Sequence, residues 1–276
     1  MTRLTAVQND VDLAADSIET GKDRQFVTAL ARGLSILRAF RCEDRVLGNQ
    51  ELATRTQLPK PTVSRLTYTL TELGYLNYNT EFGKYELGTS VLALSYPALA
   101  NFDIRQVAKP HMRELSDANN VGAGLATPNR LSMVYIEYCS PPTLVTLRID
   151  VGLCLPMIET ATGLAYLAGL DDVERQRLIQ RSRRRHGNVW PEHENRINTA
   201  REELAKRGFC IKIGAWDPDV NAVATPFVAP DGKETYVLSC AAPTFLADRD
   251  RLAEDIGPQL LAAAKRLSGD VSATGR

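Results

Sequence analysis

Cysteine and histidine are the side chains whose spacing most often reveals a metal or redox site, and neither has such spacing in this 276-residue sequence. The cysteines are odd in number and form no Cys-x-x-Cys pair, so we expect them to be small core residues. His186 and His193 bracket Gly187 and Pro191, which excludes two ligands one helical turn apart. We therefore predict no metal and no cofactor. The residues concerned are Cys42, Cys139, Cys154, Cys210, Cys240, His111, His186 and His193.

Motifs for catalysis are also missing from the sequence. It contains no nucleophile–base signature, no phosphate-binding loop and no paired-carboxylate motif, and three histidines offer little acid–base chemistry. The sequence therefore favours a binding protein over an enzyme. An enzyme of mixed α/β type with an unidentified site stays open as an alternative.

Polar and basic side chains gather on one face of a predicted helix that begins near Pro61. Its apolar residues Val63, Leu66 and Leu70 step by three and four and must be buried, so the polar residues lie on the opposite side. Arginine binds guanine edges or phosphates, and lysine most simply binds phosphates. A solvated helix face is the alternative. The polar residues are Lys60, Thr62, Ser64, Arg65 and Tyr68.

The segment around this helix predicts a winged helix-turn-helix unit at residues 25–88. A first amphipathic helix is expected near 26–41, and a short second helix, QELATRT, follows with Asn49 as its N-cap. After the polar-faced helix, two alternating runs around Thr80 to Gly83 indicate a β-hairpin. Helix, short helix, tight turn, helix and hairpin is the order of a winged helix-turn-helix unit.

Charge limits how this unit would bind DNA. The whole chain has 33 basic and 33 acidic residues, which excludes coating of nucleic acid by bulk charge. Residues 25–88 contain eight basic and six acidic side chains, a net charge of +2. Tight binding would therefore require two or more units on one DNA.

The remaining sequence predicts an α+β protein with further segments on both sides of this unit. Residues 1–24 are expected to form a flexible tail, 89–103 a linker helix bent or interrupted at Pro97, and 104–270 a second domain. No stretch approaches the apolar length of a membrane span and the acidic N-terminus does not resemble a signal peptide, so a cytoplasmic protein is expected. Helix patterns lie near 104–119, 163–182, 192–207 and 248–268, and strand-like runs at 131–139, 143–150, 221–229 and 234–242.

Several segments resemble the IclR family of bacterial transcription regulators. In the first domain they are FVTALARGLSILRAF, ELATRTQLPKPTVSRLTYTLTELGYL and YELG; in the second they are GLCLPMIETATGLAYLAGL, RGFCIKIGAWDPDVNAVATPF and DGKETYVLSCAAPTFL. The resemblance implies a dimer-forming winged-helix domain, a linker helix, and an effector-binding domain with a curved antiparallel sheet and helices. It also implies homodimers or dimers of dimers.

The resemblance further implies which residues face the DNA. The second helix of the motif enters the major groove in this family, which would direct Lys60, Thr62, Ser64, Arg65 and Tyr68 toward operator DNA. Arg32 in the first helix and Lys84 at the hairpin tip are further candidates, although a tip lysine also serves solubility alone.

The family's small-molecule pocket lies over the sheet of the second domain. This sequence departs from the family pattern there, because Lys212 to Ala215 stand where an acidic residue is usual, and Ala241 stands where a second serine is common. Lys212 would be the only charge among the transferred positions, which favours a small organic acid with an apolar body, an aromatic carboxylate first. An exposed Lys212 is the alternative. The transferred positions are Leu144, Leu147, Ala161, Thr162, Lys212, Val220, Ala222, Ser239 and Ala241.

The basic run from Arg181 to His186 has a simpler explanation. It lies at the predicted end of a helix, where cations complement the helix dipole. We therefore expect it to be solvated rather than a binding site.

Together these patterns predict a repressor or activator whose operator binding responds to an organic acid, with regulation of aromatic-acid catabolism as the candidate role. A winged-helix scaffold that binds protein instead of DNA is the second alternative. No membrane partner is expected.

Overall fold

The computed structural model describes residues 25–41, 44–141, 147, 149–186 and 190–269. The chain forms two compact units that divide between Asn101 and Phe102. The tail expected at 1–24 lies outside the described residues.

The first unit has the helix, short helix, helix and hairpin order that the sequence predicts. A short backbone bridge between Leu47 and Tyr85 adds a third segment to the hairpin, with N–H to O=C distances of 2.8 Å in both directions. Its elements are α1 (Thr28–Arg38), α2 (Asn49–Thr56), α3 (Lys60–Glu72), β1 (Leu76–Asn79), β2 (Lys84–Leu87) and α4 (Ser90–Ala100).

The cap of α2 differs from the expectation. Gly48, with extended backbone angles, is the N-cap, and its N–H donates to Glu51 Oε2 at 2.8 Å. Asn49 is already the first helical residue, and its side-chain oxygen lies 3.4 Å from the Thr67 hydroxyl. Asn49 therefore connects α2 to α3 rather than capping α2.

A small core fixes the three helices against the hairpin. Ile36, Leu52, Val63 and Leu76 are fully buried within one apolar cluster. Each comes from a different element, and burial of an aliphatic side chain contributes roughly 1.5–3 kcal/mol. The orientation of α3 is thus set by contacts with α1, α2 and β1.

The helix α4 is not interrupted at Pro97. It runs without a break from Ser90 to Ala100. Proline removes one backbone donor from a helix, and the neighbouring hydrogen bonds remain, including Asn101 N–H to the Pro97 carbonyl at 3.2 Å. None of the residues of α4 is buried.

The second unit is an antiparallel sheet with helices, in strand order β5-β4-β3-β8-β7-β6. The sequence patterns missed β3, β5 and β6. Its elements are α5 (Ile104–Asn119), β3 (Gly122–Asn129), β4 (Ser132–Cys139), β5 (Cys154–Pro156), α6 (Ala161–Gly169), α7 (Asp172–His186), α8 (Trp190–Arg207), β6 (Cys210–Ile213), β7 (Val220–Val228), β8 (Thr235–Pro243), α9 (Arg249–Arg251), a π-helical turn (Leu252–Ile256) and α10 (Gly257–Leu267).

One further expectation for this unit was wrong, and another falls largely outside the described residues. The single helix expected at 163–182 is two helices, because Leu170 is extended and the Asp171 carboxylate accepts from Glu174 N–H at 2.8 Å, which starts α7. The strand expected at 143–150 lies largely outside the described residues, and its described positions are not in a strand.

The two faces of the sheet have different environments. Leu125, Val223, Leu238 and Cys240 belong to the main apolar core, which includes residues of α5 and α10. Residues that alternate with them point to the other face, where α6 packs. This second face lies under the cavity described next.

Candidate functional site

The outer face of α3 presents most of the polar residues that the sequence singles out. Lys60, Ser64, Arg65 and Tyr68 are exposed, Tyr68 to 66%. Thr62 is half-buried. The opposite face is closed, since Val63 and Thr67 are fully buried. The 3.6-residue period therefore separates a packed face from a face open to a partner.

The basic side chains on this face have no acidic partner. Within the described ranges, no carboxylate oxygen lies within 4.0 Å of the Lys60 or Arg65 side-chain nitrogens. Arg55 of α2 differs, because it forms an ion pair with Asp44 and donates to the Ala39 carbonyl at 2.8 Å. Arg55 is thus used within the fold, whereas Lys60 and Arg65 remain available to phosphates and bases.

Asp44 is adapted to that ion pair. Burial raises the pKa of its carboxyl, but hydrogen bonds from the Arg55 side chain and the Arg41 N–H outweigh burial, and the net shift of the pKa is downward. The carboxylate is therefore ionised at neutral pH and holds Arg55 in place.

The two weaker DNA-binding candidates have other environments. Lys84 is the first residue of β2, just beyond the hairpin tip, and its Nζ lies 2.9 Å from Glu51 Oε2. The Gly48 N–H and then Lys84 lower the pKa of Glu51. Arg32 is half-buried on α1, and its Nε is buried with no hydrogen-bond partner among the described residues. Neither side chain lies on α3.

A cavity on the second face of the sheet collects most of the other predicted residues. It has a volume of about 430 Å³, including its opening to solvent. Six of the nine transferred positions line it: Ala161, Thr162, Lys212, Val220, Ala222 and Ala241.

The other three transferred positions do not line the cavity directly. Ser239 is buried beside it, with its hydroxyl 3.1 Å from the hydroxyl of Tyr135, which is a lining residue. Leu147 is buried and is not part of the lining. Leu144 lies outside the described residues.

The cavity also contains residues that the sequence reasoning missed. Lys212 is not its only charge, because Glu159 and Asp217 line it as well, together with the aromatic rings of Tyr135 and Trp216. Asp217 lies two residues beyond Ala215, the last residue of the segment that was compared with the family pattern. A longer comparison of that turn would have found it.

The electrostatics of the cavity suit binding rather than catalysis. Lys212 is half-buried, and no described carboxylate oxygen lies within 4.0 Å of its Nζ. Burial raises the pKa of Tyr135, while hydrogen bonds from Ser239 and Thr162 oppose that shift. The Cys240 thiol on the opposite face has a pKa raised to about 12 by burial, so it is neither a thiolate nor a nucleophile at neutral pH.

Metal ligation and membrane crossing find no support in the described part of the chain. Its His, Cys, Asp and Glu side chains form no group of three that could hold a metal ion. Among its helices, none combines the length and the apolar character that crossing a lipid bilayer requires.

A winged helix-turn-helix unit with an open basic helix face defines the class of helix-turn-helix transcription regulators. Residues 29–80 match the IclR helix-turn-helix domain, and residues 96–269 match the C-terminal domain of bacterial transcriptional regulator IclR. The chain belongs to the IclR family. Its relatives are transcriptional regulators and not enzymes, which confirms the expectation from the missing catalytic motifs.

Known relatives match nearly the whole chain. The HTH-type transcriptional regulator TsaQ1/TsaQ2 of Comamonas testosteroni is 36% identical, over 90% of this chain and 88% of that protein. The crystal structure of an IclR family transcriptional regulator from Brucella abortus is 41% identical, with a TM-score of 0.79 over 90% and 94% of the two chains. An IclR homolog from Microbacterium hydrocarbonoxydans, solved with 4-hydroxybenzoate, has the same fold at 20% identity and a TM-score of 0.64 over 86% and 99%.

Proposed function

We propose that this regulator binds operator DNA through α3 and that a small organic acid in the second unit modulates that binding. The main support is the exposed face of α3, where Arg65 and Lys60 have no acidic partner among the described residues. Arg65 would contact a guanine edge or a phosphate, and Lys60 a phosphate. The proposed domains are 25–88 for DNA, 89–103 for the linker and 104–270 for the effector. An operator is chromosomal, so the proposal implies a cytoplasmic protein.

The experiment that tests this proposal uses the full chain and the intergenic DNA upstream of its own gene. We expect a gel shift that weakens steeply with salt, because binding to phosphates releases counterions. Addition of an organic acid should change the affinity for DNA. A protein-interaction scaffold would give no shift, or a weak one without sequence preference, and this would contradict the proposal.

We also propose that the functional unit is a homodimer or a dimer of dimers. The helices α1 and α4 expose large apolar side chains, including Leu30 at 63%, Leu92 at 71%, Leu94 at 62% and Tyr96 at 73%. Such a concentration of exposed apolar groups is typical of an interface. Pairing would cover these groups and would offset the small net charge of one DNA-binding unit.

Replacement of both Leu92 and Leu94 by glutamate should shift the protein toward monomer. Charged groups at a buried apolar interface cost several kcal/mol when unpaired. Sedimentation velocity at micromolar concentration measures the change, and Val173→Glu, on an exposed apolar residue of α7, is the matched control. An unmodified protein that sediments only as monomer would refute the assembly.

The cavity supports an acid with an apolar body as the effector. Ile149, Leu155 and Val220 supply apolar walls. Lys212 supplies an ammonium that forms no ion pair with a carboxylate in the part of the chain that the structure describes. Glu159 and Asp217 would repel an anion, so the carboxylate must lie close to Lys212, where the attraction is strongest. The flat rings of Tyr135 and Trp216 favour an aromatic body.

The M. hydrocarbonoxydans homolog holds an aromatic acid, 4-hydroxybenzoate, which agrees with this choice. We extend the proposal to a role in the regulation of aromatic-acid catabolism.

Replacement of Lys212 by methionine should weaken binding of benzoate-type acids about tenfold to a hundredfold. A hydrogen bond to a charged group contributes roughly 1.5–3 kcal/mol, and methionine preserves much of the apolar stem. Isothermal titration calorimetry measures the loss. The control is Lys206→Met on the exposed side of α8. Equal affinity in both variants, or tighter binding of benzamide than of benzoate, would refute the ion pair.

A further inference from the structure

Tyr138 holds a polar group for which the described fold provides no partner. Its hydroxyl is buried and makes no hydrogen bond to any described residue. The neighbouring Tyr135 is different, because its hydroxyl lies 3.1 Å from the Ser239 hydroxyl and 3.5 Å from that of Thr162. A buried hydroxyl without a partner costs free energy, so its presence calls for a physical reason.

The two tyrosines share a face of the sheet because β4 contains a bulge. Leu125 pairs with Glu137 but Ala126 pairs with Tyr135, which leaves Ile136 as an extra residue. In a regular strand, residues three apart point to opposite faces. The extra residue of the bulge therefore places Tyr138 on the same face as Tyr135.

Two glycines of β3 provide the space that these rings occupy. A Cβ atom at Gly122 would lie 2.6 Å from Tyr138 Cζ and would overlap the hydroxyl oxygen. A Cβ at Gly124 would lie 2.9 Å from Tyr135 Cδ1. The Tyr138 hydroxyl therefore stands directly above Gly122.

Tyr138 does not itself line the cavity, but Gly122 lies next to a residue that does. Gly122 is paired with Ala241, and residues directly opposite in neighbouring strands have their Cβ positions about 5 Å apart on the same face. Ala241 lines the cavity. The Tyr138 hydroxyl is thus about one strand spacing from the cavity floor, on the same side of the sheet.

One cross-strand row connects Tyr138 to Lys212. Lys212 pairs with Ala222, Ala222 with Ala241, and Ala241 with Gly122. The row spans three strand spacings, about 14 Å. Its middle positions, Ala222 and Ala241, are small, and the cavity covers the row from Lys212 to Ala241. We call this row, from Lys212 to Gly122, the trough.

We propose that Tyr138 is a specificity-determining residue of this trough, whose hydroxyl hydrogen-bonds a hydroxyl or carbonyl oxygen at the far end of the acid that pairs with Lys212. The inference rests on the proposed function, since it assigns a second contact to the same effector. This second contact would favour aromatic acids that have a polar substituent opposite the carboxylate. Unsubstituted acids would leave the Tyr138 hydroxyl without a partner.

The protonation state of Tyr138 agrees with this role. Burial raises the pKa of its hydroxyl well above the ordinary value, and the neighbouring Tyr135 and Cys240 raise it further. Tyr138 therefore remains a neutral hydrogen-bond donor over the physiological range.

Calorimetric titration with two matched pairs of acids tests the inference: benzoate with 4-hydroxybenzoate, and cinnamate with the longer 4-hydroxycinnamate. In the unmodified protein we expect the hydroxylated member of at least one pair to bind more tightly. Tyr138→Phe should weaken that member about tenfold and change the parent acid less than twofold. Tyr236→Phe is the control, because it removes a tyrosine hydroxyl that bonds to Glu234 on the opposite face of the sheet, away from the cavity.

The other results separate two kinds of failure. An unchanged affinity of Tyr138→Phe for the hydroxylated acids, or an equal loss for both members of each pair, would overturn the role of Tyr138 and leave the acid-binding cavity intact. If the unmodified protein binds none of the four acids, both this inference and the proposed effector class are wrong. DNA binding is measured separately and is affected by neither outcome.

Thermal unfolding of the ligand-free protein gives a second readout. Removal of a buried hydroxyl without a partner should stabilise the protein, so Tyr138→Phe should raise Tm by roughly 2–4 °C. Tyr135→Phe breaks an existing hydrogen bond and should lower Tm. A lower Tm for Tyr138→Phe would mean that the hydroxyl has a structural partner, and would overturn the inference.

Discussion

Replacement of Arg65 by alanine should nearly abolish specific operator binding while the fold remains intact. Loss of a bidentate contact to a base costs about 1–3 kcal/mol per half-site, and a dimer on a near-palindromic operator loses two such contacts. The expected total of about 2–6 kcal/mol corresponds to a loss of affinity between roughly 30-fold and 10⁴-fold. A gel-shift titration against operator and unrelated DNA measures it.

The fold should tolerate this change because Arg65 is exposed and has no ion pair among the described residues. Arg177→Ala, on an exposed helical arginine of α7, controls for the loss of charge alone. If Arg65 contacts only a phosphate, affinity for all sequences should fall together and the salt dependence should become shallower. Unchanged operator affinity would refute any DNA contact by Arg65.

The open face of α3 could be predicted because its determinants are local. Val63, Leu66 and Leu70 recur with the period of one helix, so the buried side of α3, and therefore its open side, follows from the sequence alone. The cap of α2 could not be assigned as simply, since Gly48 and Asn49 both suit an N-cap and the choice depends on the contact of Asn49 with Thr67. Local sequence rules therefore predicted helix α2 correctly but assigned its N-cap to Asn49 instead of Gly48.

Prediction of the cavity required residues from several segments that are far apart in the sequence. Ala161, Thr162 and Lys212 were found through family resemblance, and they lie on α6 and β6, far apart in the chain. Tyr135 and Tyr138 were missed because regular alternation directs them to opposite faces, and only the extra residue Ile136 brings them together. A bulge has a weak sequence signal, since it depends on the register between two strands.

Strand β3 was missed for a related physical reason. The sequence of β3, GAGLATPN, has two glycines and a proline, which normally weaken or end a strand. Gly122 and Gly124 are nevertheless required, because the rings of two tyrosines occupy the space of their absent side chains. The two glycines that obscured the strand thus make room for Tyr135, which lines the cavity, and for Tyr138.

The junction between β5 and α6 should be the most sensitive point of the effector unit. Thr160 caps α6 by accepting from Gly163 N–H at 3.1 Å, and Thr160, Ala161 and Thr162 all line the cavity. Gly163 packs directly on the backbone of Met157, just after β5. The position of one cavity wall therefore depends on this close approach of two backbones.

Replacement of Gly163 by alanine should destabilise the second unit by about 3 kcal/mol and weaken effector binding. In an open helix the same change would stabilise by about 1 kcal/mol through helix propensity. Here the new Cβ would lie 2.5 Å from the Met157 carbonyl carbon and would overlap the carbonyl oxygen, and backbone cannot rotate away as a side chain can. Differential scanning calorimetry should show a Tm lower by roughly 6–12 °C.

Gly33→Ala in α1 provides the matched control for this prediction. The nearest atom to its new Cβ is a methyl carbon of Leu66 at 4.0 Å, so nothing must move. For Gly33→Ala we expect only the gain from the higher helix propensity of alanine, which should stabilise the fold by about 0.5–1 kcal/mol. The opposite signs of the two changes separate backbone contact from propensity. A Gly163→Ala protein as stable as the unmodified chain would show that α6 shifts at little cost, and the wall of the cavity would then not be fixed by Met157.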